Sequence, residues 1–186
     1  MSAFFTTNSV PEGVRSVFER SRVALTLADP AQPDMPLVGL TAKFSNMTGY
    51  DPDEALGRNC RFLQPEEGAG PVRTRMHKFL RDDALADAKF LLPNVKQDGT
   101  PFLNLLYMSK LVERGRLIYV LGSQFEVKPQ AKSEAHFYEK SLVEDLGNLK
   151  DILGEHTMVM LGSFESLASS HSILARAGIG DFHGTD

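Results

Sequence analysis

Apolar and polar positions alternate in three regimes along the chain. Near the start, Val14, Val17 and Phe18 recur at helical spacing, which predicts a short amphipathic helix. Ser9 and Glu12 stand at capping-box spacing with Pro11 between them, so the helix is expected to open at Ser9 with the proline in its first turn, where a missing N–H costs little. A helix this short needs a surface to lie on. Packing on the main domain and dimerisation both satisfy that need.

From about Arg22 to Val127 the pattern shortens to strands and brief helices. Val23–Leu27 and Leu37–Leu40 are apolar runs of strand length, and the three prolines and two aspartates from Asp29 to Pro36 predict a tight turn between them. Short helical stretches follow up to Gly49. Asp51-Pro-Asp-Glu54 supplies an N-cap, a first-turn proline and acidic groups suited to a helix dipole. Arg73–Arg81 reads as a longer amphipathic helix with Met76, Phe79 and Leu80 inward. Three strands end the block, roughly Ala86–Val95, Thr100–Val112 and Arg116–Val127, joined by hairpin turns at Gln97-Asp98-Gly99 and Glu113-Arg114-Gly115. The expected fold is α+β: a five-stranded antiparallel sheet with helices on one face, a layout that holds a planar ligand between sheet and helices.

Beyond Pro129 the spacing is helical again. Leu142, Leu146, Leu149 and Leu153 form one stripe, and Met160, Phe164, Leu167 and Ile173 form another after Gly154. A C-terminal helical hairpin is expected, packed on the central domain or on another chain. The boundaries are 1–21 for the N-terminal helical cap, 22–127 for the central domain and 128–186 for the helical extension.

Composition narrows the function classes. With 186 residues, 42% hydrophobic and 24% charged, the chain is expected to be one globular domain with an appendage. It has no apolar run near the roughly 18 residues of a membrane span and no basic-then-apolar leader, so a cytoplasmic protein without membrane contact is expected. A formal charge of −4 gives no electrostatic reason to bind nucleic acid. The single cysteine, Cys60, excludes an internal disulfide and a multi-thiolate zinc site, and no metal is expected. Without tryptophan, an aromatic pocket must be built from Phe and Tyr or be filled by a ligand.

The chemistry concentrates in Gly57-Arg-Asn-Cys-Arg-Phe-Leu-Gln64. A cysteine with Asn and Arg neighbours, about one helical turn before a glutamine, is a reactive-thiol candidate, although a lone buried cysteine is ordinarily a small hydrophobe. Asn94, Asn104 and Gln124 fall one on each of the last three strands and interrupt apolar runs. Buried amides need partners. They either pair with one another or water, or they face a ligand that both donates and accepts.

A heteroaromatic edge of alternating donors and acceptors meets the second condition, and here the chain resembles a known family. Gly57–Gln64 is similar to the flavin-binding signature of LOV photosensor domains, a branch of the PAS fold. The similarity runs from Val23 to Val127 through Phe44, Thr48-Gly-Tyr50, Asn94, Lys96-Gln-Asp-Gly99, Phe102-Leu-Asn-Leu105 and Gly122-Ser-Gln124. The resemblance implies FMN as cofactor and Cys60 as the photoactive thiol, whose sulfur forms a reversible adduct with the flavin ring under blue light. It implies that Asn59 and Gln64 contact the flavin's side chain and ring, that Asn94 and Asn104 bind its pyrimidine edge, and that Gln124 senses the newly protonated ring nitrogen. Arg61 matches a phosphate-binding arginine, which favours FMN over riboflavin.

The chain departs from the family pattern at several positions. A second phosphate arginine is common in the helix after the signature, where this chain reads Val72-Arg-Thr-Arg-Met-His77. Ungapped, His77 takes that place, a deletion would put Met76 there, and Arg73 and Arg75 are candidate substitutes. Thr26 and Met108 replace larger or aliphatic side chains near the ring, and Leu106 stands where Phe is frequent.

Output is expected from the terminal helices, as a homodimer that light rearranges or through a downstream signalling partner. Ser163–Arg176 bears a faint similarity to a dimerisation helix of bacterial sensor histidine kinases. The His-Arg and Lys-Asn elements expected in the preceding helix are absent, and no room remains for an ATP-binding domain. His156 and His171 are isolated helical histidines, which ordinarily face solvent. A non-enzymatic photoreceptor is therefore expected. The alternatives are a flavin-based redox sensor or interaction module without the adduct, and a regulator of a histidine-kinase pathway.

Overall fold

The computed structural model describes residues 2–6, 9–127 and 140–149, and the backbone of 158–161. In chain order the elements are β1 (Ala3–Phe5), α1 (Glu12–Arg20), β2 (Ala24–Ala28), β3 (Leu37–Thr41), α2 (Ala42–Thr48), α3 (Pro52–Ala55), a 3₁₀ turn (Cys60–Leu63), α4 (Pro71–Arg81), β4 (Asp87–Val95), β5 (Pro101–Glu113), β6 (Arg116–Val127), α5 (140–149) and β7 (Met158–Leu161). No helix among the described residues is long and apolar enough to cross a membrane.

The five expected strands form one antiparallel sheet in the order β3-β2-β6-β5-β4, with β1 added outside β3. β4 pairs with β5 only as far as Ser109, and β7 takes up the same edge from Lys110 to Glu113. Met158–Leu161 is thus a strand where the helical stripe placed Met160. A short apolar run suits either element by periodicity alone, and the open edge of β5 decides it. The remainder of the expected hairpin, including Phe164, Leu167 and Ile173, lies outside the described residues.

One further boundary moves, and one strand is added. α1 starts at Glu12 with Pro11 as its N-cap and no side-chain cap bond, so Ser9 is not the cap. The residue before a proline is driven away from helical geometry, and Val10 therefore cannot begin the helix. β1 was not expected at all. It docks because Gly39 of β3 has no side chain: a Cβ there would lie 2.6 Å from the Phe5 ring. Phe5 in turn sits 5.6 Å from Phe18 and under the Arg15 guanidinium at 4.7 Å. The aspartate-proline start of α3 does form its capping box, and the β5–β6 hairpin turns through Arg114 and Gly115, both at positive φ, as a two-residue loop requires.

Alternation along the strands gives the sheet two apolar faces. On the outer one, Leu25, Leu27, Tyr107, Leu111, Tyr119 and Leu121 are covered by Val14, Val17 and Phe18 of α1 and by Leu142, Leu146 and Leu149 of α5. The two terminal helices therefore share one core. They are joined by a buried hydrogen bond of 2.6 Å from Ser21 Oγ to Asp145 Oδ2. On the inner face, Leu40, Phe90, Leu92, Leu106 and Val120 meet Phe44, Leu63 and Phe79 from the helical segment.

Candidate functional site

A cavity of about 180 Å³ opens between that inner face and the segment from the 3₁₀ turn to α4. Every residue that the sequence pointed to as a flavin contact lines it except Arg75; His156 and His171 lie outside the described residues. Arg73, Met76, His77 and Leu80 face the cavity from α4, a spacing of three and four residues that defines one helix face. Arg75 lies off that face, so Arg73 and His77 are the basic groups that α4 brings to the site. Arg75, the other candidate for a phosphate contact, does not line the cavity.

The strands contribute in register. Thr26 pairs directly with Gly122 across β2 and β6, Leu106 with Gln124 and Met108 with Gly122 across β5 and β6, and Leu92 with Asn104 across β4 and β5. Thr26, Leu106 and Met108 thus surround the point where Gln124 enters. Gly122 had no assigned role, yet it makes the room: a Cβ there would stand 2.6 Å from Thr26 Oγ1 and 3.3 Å from Gln124 Nε2.

The three strand amides are buried, and their bonds are incomplete. Asn104 Nδ2 donates to Asn94 Oδ1 at 2.8 Å, Asn94 Nδ2 to the Pro93 carbonyl at 2.9 Å, and Gln124 Nε2 to Thr26 Oγ1 at 2.9 Å. The amides do pair with one another in part, but Asn104 Oδ1 and Gln124 Oε1 are buried without any partner. An unsatisfied buried acceptor costs about 1–3 kcal/mol. Two of them on residues that line one cavity call for a ligand bearing N–H groups.

Cys60 opens the 3₁₀ turn. Asn59 caps it, its side-chain oxygen accepting from the Arg61 amide at 3.0 Å. The Asn59 Nδ2 group donates to the carbonyls of Asp34 at 2.6 Å and Met35 at 3.4 Å. Asp34 and Met35 hold left-handed φ of 68° and 48°, conformations that non-glycine residues adopt at a cost. Asn59 thus ties the strained turn before β3 to the backbone that presents Cys60. Desolvation by burial pushes the Cys60 thiol from 9.0 up to about 12. At neutral pH the sulfur keeps its proton.

At the solvent side of the cavity the Arg61 guanidinium pairs with the Asp34 carboxylate. The sequence reading missed Asp34 as that partner, because a prolyl turn read only as a turn hides a charge aimed across it. Arg61, Arg73 and His77 are exposed and line the same opening, a local concentration of basic groups on a chain of net negative charge.

Comparison with known proteins places this architecture. The PAS domain family model matches residues 33–128. The chain is 38% identical over 112 residues to blue-light-activated histidine kinase 1 of Erythrobacter litoralis, covering 59% of this chain and 30% of that protein. It is 32% identical over 124 residues to a blue-light photoreceptor of Listeria monocytogenes, covering 67% of this chain and 48% of that protein. The chain spans about half the length of these curated relatives, or less. The crystal structure of the Rhodobacter sphaeroides LOV protein superposes with a TM-score of 0.74 at 32% identity, over 89% of this chain and 94% of that one.

Proposed function

Because this chain belongs to the PAS family, as a LOV domain within it, we propose that it is a blue-light photoreceptor that binds FMN in the cavity beneath its sheet and signals through its flanking helices. The observation that carries the reading is the pair of unpaired oxygens, Asn104 Oδ1 and Gln124 Oε1, on residues that line the same cavity as Cys60. The edge of a flavin ring offers the N–H donors that these acceptors lack, and the apolar walls from Leu92, Leu106 and Val120 suit its flat body. The residues present therefore fit the group.

A bound flavin would supply the blue-light-absorbing ring and a carbon to which a thiol sulfur bonds reversibly, while the adjacent ring nitrogen takes the thiol proton. Cys60 holds that proton at Sγ, because the thiol lies among apolar groups and its ionised form is disfavoured. Asn94 and Asn104 fix the pyrimidine edge, and Asn59 and Gln64 border the ring and side chain from the 3₁₀ turn. Arg61 gives a planar, two-pronged donor for a phosphate, with Arg73 and His77 beside it. A phosphate must compete there with Asp34 for Arg61, and it carries more charge than one carboxylate. That balance favours FMN over riboflavin.

The signal has a short route out. Gln124 points inward from β6, while its neighbour Phe125 packs against the outer cluster that α1 and α5 cover. A changed hydrogen-bond pattern at Gln124 shifts β6 beneath both helices, and through them the association of two copies or the docking of a signalling partner. The chain itself performs no catalysis in this reading.

Absorption spectroscopy tests it. The purified protein is expected to carry a yellow chromophore whose blue-light bleaching reverses in the dark and is abolished in Cys60→Ala. Bleaching that persists unchanged in that variant would exclude the thiol step and leave a flavin redox sensor.

A further inference from the structure

Gln124 does not stand alone in the cavity wall. Its Nε2 donates to Thr26 Oγ1 at 2.9 Å, and Thr26 Oγ1 donates to the Gly122 carbonyl at 3.4 Å. With the hydroxyl proton directed at Gly122, Oγ1 presents a lone pair to the amide. The NH₂ end therefore turns toward Thr26, and Oε1, at the other end of the amide, is left buried without a partner. This is the orientation that accepts from a protonated ring nitrogen. An unprotonated nitrogen needs the reverse, with NH₂ toward the ring and Oε1 toward β2.

Thr26 meets both cases, because a hydroxyl is donor and acceptor in one group. When the amide rotates, the Thr26 proton leaves the Gly122 carbonyl and is donated to Oε1 instead. An isosteric valine could do neither. Position and stiffness are built in: Thr26 lies directly opposite Gly122, its β-branched side chain has little χ1 freedom, and glycine at 122 leaves the space that any Cβ would fill.

We infer that Thr26 is a positioning residue for Gln124, its hydroxyl alternating between accepting from Nε2 and donating to Oε1, so that the amide can turn without stranding a buried polar group. The inference rests on the flavin reading for its function, but the contact itself is measurable without flavin.

The test uses the full chain with Thr26→Val and Thr26→Ser, and two readouts. In the flavin-free protein labelled at glutamine side chains, the Gln124 amide protons, identified by their loss in Gln124→Leu, are expected to exchange with solvent on the order of tenfold faster in Thr26→Val. In the FMN-loaded protein, dark recovery after blue light is expected to accelerate about fivefold in Thr26→Val, because the arrangement with NH₂ on the hydroxyl loses its acceptor. Thr26→Ser keeps a hydroxyl and is expected to stay within about twofold of the parent on both measures. The inference is overturned if valine leaves both unchanged, if serine and valine move together, or if exchange changes while recovery does not. A parent protein that binds no flavin or does not bleach removes the photoreceptor reading, and the exchange measurement then still decides whether the hydroxyl holds the amide.

Discussion

Cys60 shows how one residue's environment sets its chemistry. Reactive cysteines used as ionised nucleophiles are held at lowered pKa by neighbouring positive charge. Here burial acts the other way and raises the thiol to about 12, although Arg61 is adjacent in sequence, since that guanidinium is turned to Asp34. As the chain has a single cysteine, thiol labelling reports this site alone. Alkylation of the native flavin-free protein at pH 8 is expected to be at least about a hundredfold slower than that of the unfolded chain, and equal rates would refute the burial argument. Linkage has a definite sign. The folded thiol holds its proton above the unfolded value of 9.0, so its contribution to stability is complete below pH 9 and is lost as pH rises toward 12. Cys60→Ala should flatten that part of the stability profile, seen in denaturant midpoints.

At the level of elements, the junction between α1 and α5 depends on a polar pair inside an apolar cluster. Burial raises the Asp145 carboxyl; the Ser21 hydrogen bond lowers it, and Glu144 adds to the rise. A raised carboxylate contributes stability that is present at low pH and lost as pH rises through its folded value. Asp145→Asn keeps an acceptor for Ser21 and removes the buried charge, so its melting temperature at pH 7 should exceed the parent's. The gain should vanish below pH 3.8, and a gain independent of pH would show that charge is not the cause. Gly39 makes a second test. A methyl group there meets the Phe5 ring at 2.6 Å, so Gly39→Ala should displace β1 and cost about 1–3 kcal/mol, as overpacking does, with loss of amide protection over Ala3–Phe5. Unaltered protection at those amides would show that the ring adjusts.

For the whole molecule, the sheet is a partition with a cavity on one side and the helices α1 and α5 on the other. Removing the C-terminal segment leaves the part of its outer face under α5 uncovered. A chain ending at Val127 loses the burial of Leu142, Leu146 and Leu149, worth about 2 kcal/mol each. It is expected to melt at markedly lower temperature, bind hydrophobic dyes and self-associate. A truncated chain as stable and as monodisperse as the full one would mean that α5 is not part of the core. The same measurements on FMN-loaded protein in light and dark test whether signal passes through this interface, since light should then alter association in the full chain and not in the truncated one.

The central strands, both hairpins, the α3 cap and the inward faces of α1 and α4 were legible in the sequence because period, glycine and proline act locally. The amides on adjoining strands were legible for a similar reason: a polar group in an apolar run announces that something must satisfy it. Other features depend on chain segments far apart in sequence. Arg73 rather than Arg75 reaches the cavity because of the rotation of α4 against the sheet. Asp34 claims Arg61 across a turn, β1 docks where Gly39 lacks a side chain, and β7 forms where β5 outruns β4. Sequence by itself determined which residues were candidates for the site, since residue type, local spacing and a family resemblance suffice for that. Only the tertiary structure decided which bonds those residues have already made and which two of their oxygens are left without a partner, because hydrogen-bond partners are set by packing across the sheet.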